Sequence, residues 1–232
     1  TREYIEIVRK IFDRDAPVQH QGLHYQLPYQ GENSSGLGKP LKGILHPIGP
    51  LQIMTAAVAP KGIQLSAEIA DGMFPIFMDP ERFDIFSSDL EVGFSKAKQK
   101  KSLQNFQVAP IVPLVLGENI DQCRRPIKSM LALYIGGMGA PGKNFYNDYA
   151  KLLGYEEEAI NIQKLYLTGR KHEAEELVPD SLVDSIALVG PKSRILDRLS
   201  SWKIAAKENK VGSLLLSGGS REALKLIAED IL

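Results

Sequence analysis

The segment IMTAAVAPKGIQLSAEIADGMFPIF, residues 53–77, constrains the fold of this chain more than any other. The apolar run over 51–57 reads as a strand covered on both faces, as a parallel sheet between helices requires. Small residues and Pro60 end it. PKGIQLSAEIA then sets Ile63, Ser66, Ala67 and Ala70 on one helical face, Asp71 and Gly72 form a turn, and MFPIFM reads as a second short buried strand. Strand, helix, strand is the pattern of α/β architecture.

The same alternation continues along the chain. Phe83, Phe86, Leu90 and Phe94 recur at spacings of three and four, which predicts a helix over 82–98. FQVAPIVPLVL reads as a third strand, although Pro110 and Pro113 each remove a ladder donor. Residues 124–134 open a largely helical insertion that runs to 185. GPKSRILDRLSSWKIAAKE is a helix capped by Gly190 and Pro191, VGSLLLSGG is a fourth strand, and a closing helix starts at Arg221. Upstream, Tyr4, Ile5, Val8, Ile11 and Phe12 mark a helix, and APVQHQGLHYQLP a small hairpin flanked by His20 and His24. Two histidines without acidic or sulfur ligands beside them read as exposed hairpin side chains rather than a metal site. The Gly-, Ser- and Pro-rich stretch 31–50 predicts a long loop, functional or mobile. Four countable core strands are half of a (β/α)8 TIM-type barrel, which commonly needs about 250 residues. The expectation is therefore an α/β fold: one partial barrel domain over 1–232, lacking its first three to four strands, cut from a longer protein.

Composition excludes several function classes. Lys and Arg together number 28 and Asp and Glu also 28, so no net field draws the chain to nucleic acid or anionic lipid. The single cysteine, Cys123, rules out an internal disulfide framework and fits the cytoplasm. No apolar run approaches the ~18 residues that cross a bilayer.

Thr55, Ala56, Ala57, Val58 and Ala59 fall where a parallel strand hands over to its helix, the edge that faces the active site in α/β folds. Small side chains let a ligand approach the backbone. Pro60 suits the first helical position, and the free amides near Lys61 and Gly62, with the Lys61 charge, suit a phosphate. The same compact linker would also serve a strand-to-helix turn that binds nothing. GGMGAPGKN satisfies most of the nucleotide-binding pattern G-x-x-x-x-G-K-[ST], through Gly137, Gly142 and Lys143. Asn144 stands where the metal-binding hydroxyl belongs and a helix precedes the loop, so a P-loop hydrolase is disfavoured. A glycine loop over an active site or a simple helix-ending loop remain. Asn144, Tyr146 and Asp148 are candidate polar groups of a substrate pocket, or a solvated helix start. Glu68 and Asp71 do not form an acid and base pair.

YIGGMGA, NFYNDYA, GYEEEA, IQKLYLTGRK and ALVGP, in this order, with YIEIVRKIF, GLHYQLP and GKPLK upstream, resemble the bacterial-luciferase-like monooxygenases. Within that family the chain resembles the oxidoreductases that use the deazaflavin coenzyme F420. The likeness covers nearly the whole chain. It implies an eight-stranded β/α barrel with an insertion, a small-molecule substrate, pairing into a homodimer through barrel helices, and hydride transfer at the deazaflavin C5. FMN is the alternative cofactor, with oxygen-activating chemistry. By resemblance the phosphate-bearing tail meets Ala57, Val58, Ala59 and Lys61, where relatives often carry Gly in place of Ala59. Groups that face the reactive ring come mostly from first strands that this sequence does not contain, so no catalytic residue is assigned.

Overall fold

Short parallel ladders organise residues 1–231, which the computed structural model describes. The chain runs α1 (Arg2–Asp13), β1 (His20–Gln21), β2 (Gln26–Leu27), β3 (Met54–Thr55), α2 (Pro60–Ile69) and β4 (Gly72–Met73). A 3-10 turn (Pro80–Arg82), α3 (Asp84–Lys96), β5 (Gln107–Val108) and β6 (Ile111–Leu116) follow. Next come α4 (Ile120–Ala132), a π-helical turn (Leu133–Gly137), α5 (Phe145–Leu152), α6 (Glu156–Leu167), α7 (Lys171–Glu176) and α8 (Asp180–Ile186). The last elements are β7 (Leu188–Gly190), α9 (Lys192–Lys207), β8 (Leu215–Gly218) and α10 (Arg221–Ile231). One sheet has the order β3-β4-β5 and another β7-β6-β8, all parallel. A parallel bridge between Ile76 and Ile111 joins them. The staves β3, β4, β5 with β6, and β8 thus follow one another laterally in chain order, as in an incomplete β/α barrel.

Several expectations need correction. The strand expected over 51–57 keeps only Met54 and Thr55 in its ladder, since the small residues after them peel away toward α2. FQVAPIVPLVL is two strands, because the run breaks at Ala109 and Pro110, where Pro supplies no donor. Gly190 and Pro191 do start α9, but Leu188–Gly190 is also a strand, paired with Leu114–Leu116. Three residues flanked by helices give too short an apolar run for periodicity to register. His20 is buried, at 8% exposure, whereas His24 is exposed as expected. Residues 31–50 carry one antiparallel bridge, Val18 to Leu41, and present Leu37, Ile44 and Ile48 to solvent.

The β3-α2-β4 unit is clamped from several sides. α2 buries Ile63, Ser66 and Ala67, and α3 crosses it so closely that a Cβ on Gly93 would lie 2.4 Å from both the Ala67 Cβ and the Gln64 carbonyl oxygen. The Thr55 hydroxyl donates to Ser66 Oγ (2.7 Å), which donates onward to the Gly72 carbonyl (3.2 Å), so strand, helix and next strand share one polar thread. At the far end of α2, Lys101 Nζ donates to the carbonyls of Ala67, Glu68 and Ala70, a cation where the helix dipole is negative. Arg2 forks onto Glu68 (2.8 and 2.6 Å), and Arg9 meets Asp71 (2.9 Å). Asp71 in turn accepts from the Ile53 amide (2.8 Å), fixing where β3 begins. Gly93→Ala is expected to push α2 and α3 apart at a cost of about 1–3 kcal/mol, read as a lower urea midpoint with unchanged slope.

Glu3 on α1 organises the hairpin. Its carboxylate accepts from the amides of Leu23 (3.0 Å), His24 (3.0 Å) and Tyr25 (2.9 Å), and His20 Nε2 lies 3.4 Å away. Desolvation alone would raise its pKa from the ordinary 4.5, but the amides of His24, Tyr25 and Leu23, with His20, outweigh it and hold Glu3 at about 2. A depressed carboxylate pKa stabilises above the unfolded value and is lost as pH falls through the folded one. The amide resonances of Leu23, His24 and Tyr25 are therefore expected to hold from neutral pH to below the ordinary carboxylate range. They should shift together only near pH ~2, and Glu3→Gln, which leaves no carboxyl to titrate at that position, should abolish the common step.

Candidate functional site

The turn after β3 lies at the carboxyl end of the sheet. The Phe74 amide donates to the Thr55 carbonyl (3.0 Å), so the tips of β3 and β4 are held side by side where Ala56 and Ala57 begin. Ala57 is buried, Val58 and Ala59 are half-buried, and Lys61 is exposed. Ala59 is the N-cap of α2 at φ −77°, ψ 146°, a region every L-residue adopts, so a glycine has no conformational advantage there. Its side chain caps nothing, and Pro60 sits at the first helical position without an amide proton. The first bond into the helix runs from the Ile63 amide to the Ala59 carbonyl (3.0 Å). The amides of Lys61 and Gly62 therefore stand ahead of the ladder with no capping side chain to accept from them.

Space and charge suit an anion at this point. A Cβ built on Gly62 would meet only the Ala57 Cβ (3.7 Å) and Cα (3.9 Å), so the approach to its backbone is open. Lys61, exposed at the second position of α2, brings a positive charge to the same point. Two free amides at the positive end of a helix dipole, beside a mobile ammonium, are a fitting cradle for a phosphate. The residues present thus fit the anionic arm of a flavin-type cofactor. Among the described residues no cluster of His, Cys, Asp and Glu could hold a metal ion.

Past β4 the mouth becomes aromatic. Phe77, buried at 3% exposure, has φ +58°, a left-handed backbone that is an outlier for a bulky residue and is costly by about 1–3 kcal/mol. Its ring meets Tyr134 edge-on (centroids 5.1 Å, 89°) and Tyr146 (6.3 Å, 70°), and the two tyrosines meet each other at 4.7 Å and 82°. Tyr134 and Tyr146 are both half-buried. Desolvation, with Tyr134 adding to it, raises the Tyr146 phenol above its ordinary value, so it stays a neutral donor at physiological pH. The structure therefore brings Tyr146 to the end of the sheet where Ala57 and Lys61 also lie. Sequence reasoning missed Phe77 and Tyr134. An aromatic directly after an apolar strand was the available signal for Phe77; Tyr134 was hidden inside an ordinary helical pattern.

Asn144 has a different surrounding. It is 1% exposed and caps α5, accepting from the Tyr146 amide (3.0 Å) and the Asn147 amide (3.3 Å). Its amide group donates to the carbonyls of Tyr134 and Ile135 (2.9 Å each), so both its donors and its acceptor are engaged inside the protein. The helix start is thus buried at Asn144, while Asp148 is exposed and pairs with Lys151. Lys143 is exposed after a turn fed by the π-helical segment, not by a strand, which removes the geometry of a P-loop. Glu68 and Asp71 are spent on Arg2 and Arg9. Two clefts of about 500 Å³ lie elsewhere, one between α8 and α9 and one beside α4 and α7. Each holds at least one ion pair, Arg194 with Asp184 in the first and Lys128 with Asp180 in the second.

Comparison with known proteins agrees with the incomplete-barrel fold. The family model for luciferase-like monooxygenase matches residues 1–206. A Mycobacterium tuberculosis protein classed by name among the coenzyme F420-dependent oxidoreductases is 38% identical over 98% of this chain and 65% of its own length. The structure of coenzyme F420-dependent tetrahydromethanopterin reductase from Methanopyrus kandleri superposes with a TM-score of 0.69 at 18% identity, over 99% of this chain and 61% of that one. The FMN-bound oxygenating constituent of 3,6-diketocamphane monooxygenase from Pseudomonas putida gives 0.50 at 16% identity, over 99% and 61%. The chain spans just under two thirds of each of these relatives. Replacing Asn144 with Ala is expected to cost about 2–3 kcal/mol, from a lost cap and unpaired buried carbonyls, measured as a lower urea midpoint.

Proposed function

Because this chain belongs to the luciferase-like monooxygenase family, we propose that it serves an oxidoreductase that holds coenzyme F420 at the carboxyl end of the sheet and reacts it with a small organic substrate. The observation that carries this reading is the uncapped start of α2, where the Lys61 and Gly62 amides stand free beside the Lys61 side chain. Ala57, Val58 and Ala59 let the anionic arm reach the backbone, and Lys61 neutralises part of its charge. When bound, the deazaflavin supplies hydride chemistry. What the chain contributes is position: the clamped β3-α2-β4 unit fixes the arm, while Tyr146 faces the substrate side as a neutral phenol. Asn144 belongs to that side only through its hold on the backbone of Tyr134 and Tyr146. The name of the 38%-identical relative favours the deazaflavin.

A second reading keeps the site and changes the cofactor. FMN also ends in a phosphate, which the same cradle would accept, and a structural neighbour holds FMN. That enzyme would be a monooxygenase. The proposal further includes a homodimer and a cytoplasmic setting. Among the described residues no helix is long and apolar enough to cross a membrane.

Titration of the purified protein with coenzyme F420 and with FMN, followed by cofactor fluorescence, separates the readings. The expected result is tighter binding of F420, weakened about tenfold by Lys61→Ala through loss of one charge-assisted contact. Preference for FMN with oxygen consumption would select the second reading, and binding of neither would overturn both.

A further inference from the structure

The segment that carries GGMG is built as a ring-aiming device. At Leu133–Gly137 the helix widens into a π-turn, a feature that frequently marks functional sites. Asn144 binds the carbonyls of Tyr134 and Ile135, and Asn147 those of Ile135 and Ala159. On the other side, a Cβ on Gly136 or Gly137 would come within 2.5 Å of Tyr166, so both glycines exist to let that ring lie on the turn's backbone. Gln163 donates to the Gly139 carbonyl (3.1 Å) and closes the loop. All this bonding is to main chain. None of the hydrogen bonds that hold the turn uses the phenol of Tyr134 or Tyr146.

We propose that Tyr134 and Tyr146 form the wall of the mouth that receives the substrate. Their perpendicular rings, in edge contact at 4.7 Å, present an apolar surface to the body of that substrate, and their hydroxyl groups donate to its carbonyl or alcohol oxygen. Phe77 and the π-turn are positioning elements. The strained Phe77 backbone holds its ring against both tyrosines, and the asparagine and glycine contacts fix the main chain that bears them. A strained residue is retained where surrounding structure over-determines it, and such sites cluster at ligand clamps. Two hydroxyl donors beside aromatic faces select an oxygen acceptor on an apolar frame over a carboxylate or phosphate ester, for which the wall offers no cation. The choice of an oxygen bonded to the carbon that gains or loses hydride rests on the oxidoreductase reading; the aromatic cluster itself does not.

The test uses acetophenone as probe and ethylbenzene as its oxygen-free counterpart, with the purified protein carrying 3-fluorotyrosine. Fluorine resonances of Tyr134 and Tyr146, assigned from Tyr134→Phe and Tyr146→Phe, are expected to shift saturably with acetophenone. Each Phe variant should weaken acetophenone about fivefold, the loss of one neutral hydrogen bond, and leave ethylbenzene unchanged. Absence of saturable shifts at both resonances, or acetophenone affinity unchanged in both variants, would overturn the wall. Cofactor fluorescence is titrated in parallel. Acetophenone binding without F420 or FMN binding would defeat the oxidoreductase reading and keep the wall, whereas the reverse outcome would defeat the wall alone.

Discussion

The role proposed for the start of α2, an anion cradle, depends on the rest of that helix being immobilised. The Thr55 to Ser66 to Gly72 thread fixes the helix to the strands on either side of it, and Lys101 neutralises its carbonyl end. Arg2 and Arg9 bring α1 against the same end through Glu68 and Asp71. An exposed salt bridge contributes little by itself, but these contacts converge on one short helix and leave it a single orientation. With the C-terminal end so occupied, the unpaired amides remain at the other end, above the sheet tips. The electrostatic preference of that end for an anion follows from the same backbone alignment.

The aromatic side of the mouth depends on a comparable division of labour. Main-chain carbonyls loosened by the π-turn are recovered by Asn144 and Asn147, and Tyr166 covers the glycines. Buried polar groups satisfied in this way make a turn rigid without consuming the side chains that face outward. The start of α2 and the aromatic cluster are thus set by separate networks, with Phe74 on Thr55 and Phe77 on Tyr134 linking them through the segment after β4.

Much of the frame was legible in the residues. Apolar periodicity located α2, α3, α9 and the four staves, and Pro60 marked the helix start where the structure has it. β7 was not legible, because three residues between helices gain strand character only from pairing with Leu114–Leu116. The buried state of His20 depends on Glu3 from a distant turn of chain, which local pattern does not encode. At the site, the position of Lys61 followed from strand-to-helix logic, whereas the aromatic cluster joins Phe77 to Tyr134 and Tyr146 across more than fifty positions of chain. The family motif YIGGMGA with NFYND was recognisable as a string, but its asparagines and glycines acquire their meaning as carbonyl ligands and ring contacts only in three dimensions.

The most direct test of the cradle is the pair of backbone amide resonances of Lys61 and Gly62 during addition of coenzyme F420. Both should move downfield and saturate in step with the cofactor's own fluorescence change. Saturable cofactor binding that leaves these two amides in place would contradict the account.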